Sequence, residues 1–280
     1  MNNTIREKIL ILVKTYPTPS TKYIETVCTA GIREDGSWIR IFPIPFRTLD
    51  DYQKYRKYQW IECSVYKSEK DIRPESFHID LSQSLTLGDS ISTDNFWEAR
   101  RRLILDRVPV LTRKTELLEA STSNSFSLAI FKPASVRLHC NAAKIEKPDP
   151  QRMEVIKAKQ AQLDLFDEPS LQASVKLAEQ IPFDFKYEIT DADGVVFTHK
   201  ILDWELGALF LNQKKKKGVD GAKQDVLKKY GVDFLNKGND LYLYMGTMYK
   251  FQKWKTENPW TIIGVAPFPH ITVRQGELFL

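Results

Sequence analysis

The residues that could carry out hydrolytic chemistry form a small acidic group that follows a histidine. Asp203 and Glu205 lie two positions apart, shortly after His199, and paired carboxylates can hold Mg²⁺ at a scissile phosphate. The same two residues also suit a structural role, because Asp is a preferred N-cap and Glu in the first turn complements the helix dipole. None of the four histidines has a partner at metal-ligand spacing. We therefore predict no catalytic site, no metal and no cofactor, with a metal-dependent nuclease that uses Asp203 and Glu205 as the alternative.

A second kind of chemistry is suggested by basic and aromatic residues that alternate. Trp38, Arg40 and Phe42 are each two positions apart, so on a strand they would share one face. Stacking surface and positive charge on one face are what sheet-based and OB-type modules use to hold single strands. The alternative is that Trp38 and Phe42 belong to the core while Arg40 pairs with a carboxylate.

Further positive charge lies in Arg100-Arg101-Arg102 and in the block Lys214 to Lys217. Contacts with phosphate need only such side chains at a reachable spacing. Both groups are also typical of a solvated helix face or loop. The predicted nucleic-acid-binding residues are Lys14, Trp38, Arg40, Arg47, Arg101, Lys214, Lys215, Lys216 and Lys217.

The most distinctive short segment is Gln162-Leu163-Asp164-Leu165-Phe166, which places Leu beside Phe in a polar, charged stretch. Two adjacent apolar side chains can fill a partner's cleft while the Gln amide fixes the register at its rim. The segment resembles the peptide by which bacterial replication and repair proteins dock on the DNA sliding clamp, which implies that clamp as a partner. Alternatively, Leu163 and Phe166 pack back on the protein as a last helical turn. A weaker copy of the spacing is Gln275 to Leu280.

A wider resemblance rests on the stretches Lys14 to Cys28, Trp38 to Arg47, Arg73 to Ser76 and Asp203 to Glu205. Together they resemble a little-characterised bacterial family of dual OB-domain, defence-associated proteins, and the resemblance spans most of the chain. It implies a role in genome maintenance or antiviral defence. Relatives carry paired cysteines before the Asp-Trp-Glu stretch, whereas this chain has Asp191-Ala-Asp-Gly194 there, so a zinc site is not expected.

The elements that would position these residues are short strands with a few helices. In the first half, strands are predicted at Lys8–Lys14, Tyr23–Ile32, Trp38–Phe42, Gln59–Ser68, Ser76–Leu81, Ser125–Phe131 and Val136–Cys140, and a helix at Asp94–Leu105. In the second half, strands are predicted at Phe183–Ile189, Val195–Lys200, Leu241–Met245 and Trp260–Ala266, and helices at Asp203–Asn212 and Gly221–Tyr230.

This pattern predicts a β-rich α+β fold with two small OB-like barrel domains joined by a charged helical linker. The predicted divisions are a domain at 1–146, a linker with the docking peptide at 147–180 and a second domain at 181–280. A chain of 280 residues has room for two cores of roughly 100 to 150 residues each.

Composition excludes several classes of protein. With 42% hydrophobic and 28% charged residues, the chain is globular rather than disordered. No apolar run approaches the ~20 residues that cross a bilayer, and Ile9 to Val13 is too short for a signal peptide core, so we expect a cytoplasmic protein. Three widely spaced cysteines argue against a disulfide framework. A net charge of +5 favours polyanions if it is clustered. The sequence therefore predicts a non-catalytic nucleic-acid-binding protein that is recruited to DNA through the sliding clamp, with a protein-only adaptor as a further alternative.

Overall fold

The computed structural model describes residues 3–20, 24–144, 154–156, 158, 177–254 and 256–270. These residues form the predicted β-rich α+β fold, with two barrel-like domains. Within these ranges, no helix is both long enough and apolar enough to cross a membrane.

The first domain is a closed five-stranded barrel of OB-like form. Its strands follow the path β1-β3-β4-β6-β5, and β5 pairs back with β1 to close the barrel. The β4–β6 pair is parallel and the other pairs in the ring are antiparallel. The strands of this sheet are β1 Ile5–Lys14, β2 Thr18–Ser20, β3 Ile24–Arg33, β4 Trp38–Ile44, β5 Gln59–Lys67, β6 Ser76–Ile79 and β7 Thr86–Ser90.

The strand β1 shows why the barrel needs a partner. Ile9 and Ile11 point into the barrel core, while Leu10 and Leu12 belong to a different cluster outside it. All four side chains are 0% exposed. Successive side chains of a strand face opposite sides, so a strand that is apolar on both faces must be covered on both.

The cover is supplied by the second domain, which is built on two sheets. The strand orders are β14-β13-β9-β8 and β10-β11-β12, and a bridge between Ile201 and Ile262 links the two. The strands are β8 Val110–Leu111, β9 Leu128–Phe131, β10 Ser135–Ala142, β11 Phe183–Thr190, β12 Val196–Lys200, β13 Asn239–Thr247 and β14 Trp260–Pro269.

Both domains also contain helices. The helices are α1 Asp94–Ile104, α2 Lys114–Ser123, α3 Trp204–Lys228 and α4 Tyr249–Lys253, with 3₁₀ turns at Phe46–Thr48 and Asp51–Gln53 and a π-helical turn at Lys229–Asp233. The long helix α3 buries Phe210 and Val226, both 0% exposed, in the core of the second domain.

The two domains share one apolar cluster. Leu10 and Ile32 of the barrel pack in it with Ile130, Tyr244 and Ile263 of the second domain. Burial of these apolar side chains is the main contribution that stabilises the contact between the two domains. The outer face of β1, β3 and β4 is therefore covered by β9, β13 and β14.

The structure places the domain boundary earlier than the predicted residue 146. The strands β8 and β9 pair with each other and with β13, and β10 pairs with β11, so they belong to the second domain. The predicted linker at 147–180 is thus an insertion between two paired strands of one sheet. Its described residues at 154–156 are helical, and Ile156 is 0% exposed.

Helix α3 consists of two helical segments that meet at a kink, and these segments correspond to the helices predicted at Asp203–Asn212 and Gly221–Tyr230. Its single non-helical residue is Gly218, with φ 72° and ψ −176°. The lysine block that precedes this glycine is helical, which the sequence pattern did not predict.

Candidate nucleic-acid interface

The predicted binding face of β4 is not available to a ligand. Side chains alternate as expected, but Arg40 is only 1% exposed, and its Nη2 donates to the backbone oxygen of Ser127 in the second domain at 2.9 Å. Trp38 is half-buried and meets Tyr244 edge to face with ring centroids 6.4 Å apart. Only Phe42 is exposed, at 38%. The prediction that Trp38 and Arg40 contact nucleic acid is therefore wrong, because the second domain covers this face.

Lys14 ends β1 and is also buried, at 7% exposure. Its Nζ donates to the backbone oxygen of Tyr55 at 3.3 Å and lies over the rings of Phe46 and Trp204, at 4.5 and 5.2 Å from their centroids. Burial lowers the pKa of Lys14. The amine of Lys14 therefore connects side chains and backbone at the end of the barrel. Lys14 also lines a cavity where the two domains meet.

The other predicted cations are more exposed, but several are paired. Arg47 forms a 2.9 Å ion pair with Glu25, which is 2% exposed, and Lys214 pairs with Glu179. Lys217 pairs with Asp225 at 2.7 Å. Such pairs leave less net positive charge for a phosphate.

Arg101, Lys215 and Lys216 complete the predicted set. Arg101 lies over the ring of Phe268, 5.4 Å from its centroid, and donates to the backbone oxygen of Pro269. Lys215 and Lys216 are exposed on α3. With Arg47 and Lys214, Lys215 lines a groove of about 560 Å³.

Aromatic and charged side chains of the two domains line a cavity where the domains meet. We call this cavity of about 630 Å³ the interdomain cleft. Its walls are lined by Lys14, Arg56, Lys57, Tyr58, Trp97, Asp203, Trp204, Glu205, Lys229, Tyr230, Asp233, Phe234, Asn239, Val265, Pro267 and Pro269. The volume falls within the range of small-molecule sites. Trp204 lines both the cleft and the neighbouring groove.

Backbone conformation marks the barrel side of the cleft as unusual. Tyr58 and Trp97 have φ values of 63° and 64°, in the left-handed region that bulky side chains rarely adopt. Such conformations cost roughly 1 to 3 kcal/mol each and cluster at functional sites. Arg100 lies over both rings, at 4.0 Å from the Tyr58 centroid and 4.5 Å from that of Trp97. The surrounding fold thus holds Tyr58 and Trp97 in strained backbone conformations, and the Arg100 guanidinium lies over both rings.

The two carboxylates that were considered for metal binding have different roles. Asp203 is 4% exposed. Its Oδ1 accepts from the Glu205 backbone N–H at 3.0 Å, its Oδ2 accepts from the Val265 backbone N–H at 3.0 Å, and Lys57 lies 3.9 Å away. Asp203 is therefore the N-cap of α3, as its alternative interpretation predicts. Glu205 is exposed in the cleft.

Lys57 connects the carboxylates to the barrel. Its Nζ donates to the Val265 backbone oxygen at 2.9 Å. Burial lowers the pKa of Lys57, but the neighbouring acidic groups, among them the carboxylates of Asp203 and Glu205, outweigh burial and raise it overall.

A metal site finds little support in the part of the chain that the structure describes. No group of three or more His, Cys, Asp or Glu side chains there could hold an ion. His199 is 7% exposed, and burial lowers its pKa to about 4. Asp191 accepts three backbone N–H bonds, from Lys114, Asp193 and Val195 at 2.8 to 2.9 Å. The segment at residues 191–194 is thus a turn fixed by the Asp191 carboxylate.

Two family models match the chain, and both describe domains of unknown function. DUF8758 matches residues 5–106 and DUF8757 matches residues 112–280, which is more than half of the chain. The chain belongs to the DUF8757 family. A comparison with curated proteins finds no match. The two matched regions coincide with the two domains of the structure, so the interdomain cleft lies between the DUF8758 barrel and the DUF8757 domain.

The position of the docking peptide follows from the same division. Gln162, Leu163, Asp164, Leu165 and Phe166 lie outside the described residues, as does the weaker copy at 275–280. Both lie within the DUF8757 match. The chain leaves β10 at Ala142 and returns to β11 at Phe183, and these two residues are paired partners in the sheet.

Sequence reasoning missed most residues of the cleft. Arg56-Lys57-Tyr58 is a compact run of two cations and one aromatic residue, and Trp97 and Arg100 are spaced as helix neighbours. Both are the pattern that was sought elsewhere in the chain. What the sequence lacks is the information that Lys229 and Phe234 of the DUF8757 domain lie across the cleft from them.

Proposed function

We propose that this protein is a non-catalytic nucleic-acid-binding protein that holds a single strand in the interdomain cleft. The observation that carries the proposal is the shared lining of this cleft by aromatic rings and cations from both domains. Trp97, which is half-buried, supplies stacking surface, and Arg56 and Lys229 supply positive charge at exposed positions. Proteins that bind single strands combine these two elements.

The proposal implies contributions of known size. Stacking of a base on an aromatic ring contributes roughly 1 to 3 kcal/mol. Cations that contact phosphates release counterions, so the affinity should fall with rising salt. The neighbouring groove extends the positive surface through Lys215.

The test is binding of fluorescent oligothymidine and oligouridine at several salt concentrations. We expect affinity that falls steeply with salt, and a loss of roughly tenfold in the variant Trp97→Ala, because one stacked ring is removed. Trp254→Ala is the matched control, since Trp254 is 60% exposed and lies outside the cleft. Equal affinity in both variants would place any binding elsewhere.

We also propose that the Gln162 to Phe166 peptide docks on the DNA sliding clamp. Its position supports this, because the peptide lies in a connection between Ala142 and Phe183, a pair that the sheet already fixes. A partner could hold such a connection without breaking the pairing of either strand. Recruitment of this kind would suit genome maintenance or antiviral defence in the cytoplasm, as the sequence resemblance implies.

A pull-down with purified clamp tests the docking proposal. The double change Leu165→Ala and Phe166→Ala should abolish retention, because the two apolar anchors are removed together. Leu278→Ala with Phe279→Ala is the matched control in the weaker copy. If only the control pair abolishes retention, the docking peptide is the C-terminal one.

The nuclease alternative is less well supported. Both oxygens of Asp203 already accept backbone N–H bonds, so this carboxylate would have to abandon its capping role to bind Mg²⁺. Cleavage of labelled DNA that requires a divalent metal and is lost in Glu205→Ala would favour the nuclease over the binding protein. The adaptor alternative would be favoured by the absence of any retention of nucleic acid at low salt.

A further inference from the structure

Glu205 is an unpaired carboxylate in the interdomain cleft, whose lining also holds four cationic side chains and the carboxylates of Asp203 and Asp233. It lies in the first turn of α3 and lines the cleft beside Trp204. Among the described residues, no side chain or backbone group makes a hydrogen bond or ion pair with its carboxylate. Asp203, two positions earlier, is fully occupied by backbone N–H groups. Glu205 is thus the acidic side chain of this turn that remains free to accept bonds from a ligand.

Glu205 forms no ion pair with either of the nearby lysines, Lys14 and Lys57. Burial lowers the pKa of Lys14 and opposes the rise in the pKa of Lys57, and the charge of Glu205 counteracts burial at both amines, so both lie within electrostatic range. Each nevertheless gives its Nζ to a backbone oxygen instead, that of Tyr55 or Val265. A free carboxylate at this position would repel a phosphate and favour a ligand group that donates hydrogen bonds.

We propose that Glu205 determines base specificity by reading guanine in the interdomain cleft. This inference rests on the proposed function, since it names the base that the bound strand presents there. The Watson–Crick edge of guanine offers two adjacent donors, N1–H and N2–H, which match the two oxygens of a carboxylate. Thymine and uracil offer one N–H between two carbonyl oxygens, and adenine and cytosine offer an amino group beside an acceptor. Only guanine therefore satisfies both oxygens without repulsion.

The aromatic side chains that line the cleft would position such a base. Trp204 precedes Glu205 in the chain, and Tyr58 and Trp97 line the same cleft. Stacking on rings is tolerant of sequence, so it would hold any base while the carboxylate selects among them. Glu205 is exposed in the cleft, so its selectivity rests on the charge-assisted hydrogen bonds that guanine alone makes with both oxygens.

The test compares three oligothymidines that differ at one central position, which is guanine, inosine or thymine. Inosine keeps N1–H but lacks the amino group of guanine. With wild-type protein we expect the affinity to fall in the order guanine, inosine, thymine, by roughly tenfold for each lost bond to the carboxylate. In Glu205→Gln the preference for guanine over inosine should vanish, because the amide presents a single acceptor oxygen.

Two further measurements make the outcome decisive. Glu257→Gln is the matched control, since Glu257 is exposed and lies outside the cleft, and it should keep the wild-type order. Urea unfolding of Glu205→Gln tests whether the residue only complements the dipole of α3, because that role would change stability and leave the base preference unchanged. Equal affinity for the three oligonucleotides in wild type, with the loss in Trp97→Ala retained, would overturn this inference and leave the proposed function in place. Failure of all three to bind at low salt would overturn both.

Discussion

His199 is a buried base that the fold keeps neutral at ordinary pH. Its ring is 7% exposed, and burial, with a smaller contribution from Lys114, lowers its pKa from 6.5 to about 4. Between these two values the unfolded chain binds a proton that the folded chain does not, so stability falls as the pH decreases through this window. Below the folded pKa the full penalty is present.

We predict that wild type loses about 2 kcal/mol of unfolding free energy through this group between about pH 7 and pH 5. The variant His199→Gln should show a flatter dependence on pH, because the neutral amide does not titrate. Urea unfolding at several pH values measures the difference. The control is His139→Gln, whose side chain is 40% exposed, and an identical slope in both variants would contradict the prediction.

At the residue scale, the sequence predicts conformation better than exposure. The alternation of Trp38, Arg40 and Phe42 is correct, and so is the capping role considered for Asp203. The exposure of Arg40 could not be predicted, because the residue that accepts its hydrogen bond, Ser127, is distant in the chain. The alternation of side chains along a strand identifies its two faces, but it does not identify which face another domain covers.

At the scale of elements, helix α3 depends on one glycine. Gly218 has φ 72° and ψ −176°, a combination that is essentially restricted to glycine. A Cβ at this position would meet nothing within 4 Å, so a substitution there tests backbone strain without a steric clash.

We predict that Gly218→Ala lowers the unfolding free energy by roughly 1 to 3 kcal/mol, because alanine must adopt a conformation that its Cβ disfavours. Thermal unfolding followed by circular dichroism measures the change. Lys216→Ala is the control on the same helix, since its side chain is exposed and makes no ion pair or hydrogen bond with the described residues. A Gly218→Ala protein as stable as wild type would show that α3 tolerates an uninterrupted helical path.

The elements themselves were largely predictable. The predicted strand Phe183–Ile189 corresponds to β11 at Phe183–Thr190, and the predicted helix Asp94–Leu105 to α1 at Asp94–Ile104. In the first turn of α1, however, Asn95, Phe96 and Trp97 have left-handed backbone angles. The predicted break in α3 is confirmed, but it is shorter than predicted, because the backbone departs from helical angles only at Gly218 and the preceding lysine block is helical. Local propensity cannot show how far each segment extends, since the burial of Phe210 before the glycine and of Val226 after it depends on tertiary packing.

At the scale of the whole molecule, the shared apolar cluster should make the two domains unfold together. Ile130 of the second domain is 0% exposed and belongs to the cluster that also contains Leu10 and Ile32 of the barrel. We predict that Ile130→Ala lowers the unfolding free energy by roughly 2 to 5 kcal/mol and leaves a single transition. Coincident unfolding curves from tryptophan fluorescence and circular dichroism would confirm this.

The control for that variant is Val195→Ala, at a valine that is 42% exposed, for which we expect little change. Two separate transitions in Ile130→Ala, with the barrel transition unmoved, would show that the barrel is stable without its cover.

The arrangement of domains was the part that the sequence could not supply. Strand pairing between β10 and β11 joins segments on either side of the predicted linker, and nothing in local composition indicates that a charged, proline-flanked stretch separates paired strands. The cleft is hidden from sequence for the same reason, since Arg56 and Lys229 come together only through tertiary packing.

Because Trp97 belongs to one wall of the interdomain cleft and Lys229 to the other, any ligand that binds there contacts both domains at once. Its binding free energy is then added to the cohesion of the entire protein by mass action. Saturation with the cognate strand would raise the melting temperature of both halves at once, so a simple heat-shift screen could discover the ligand without any assay of activity.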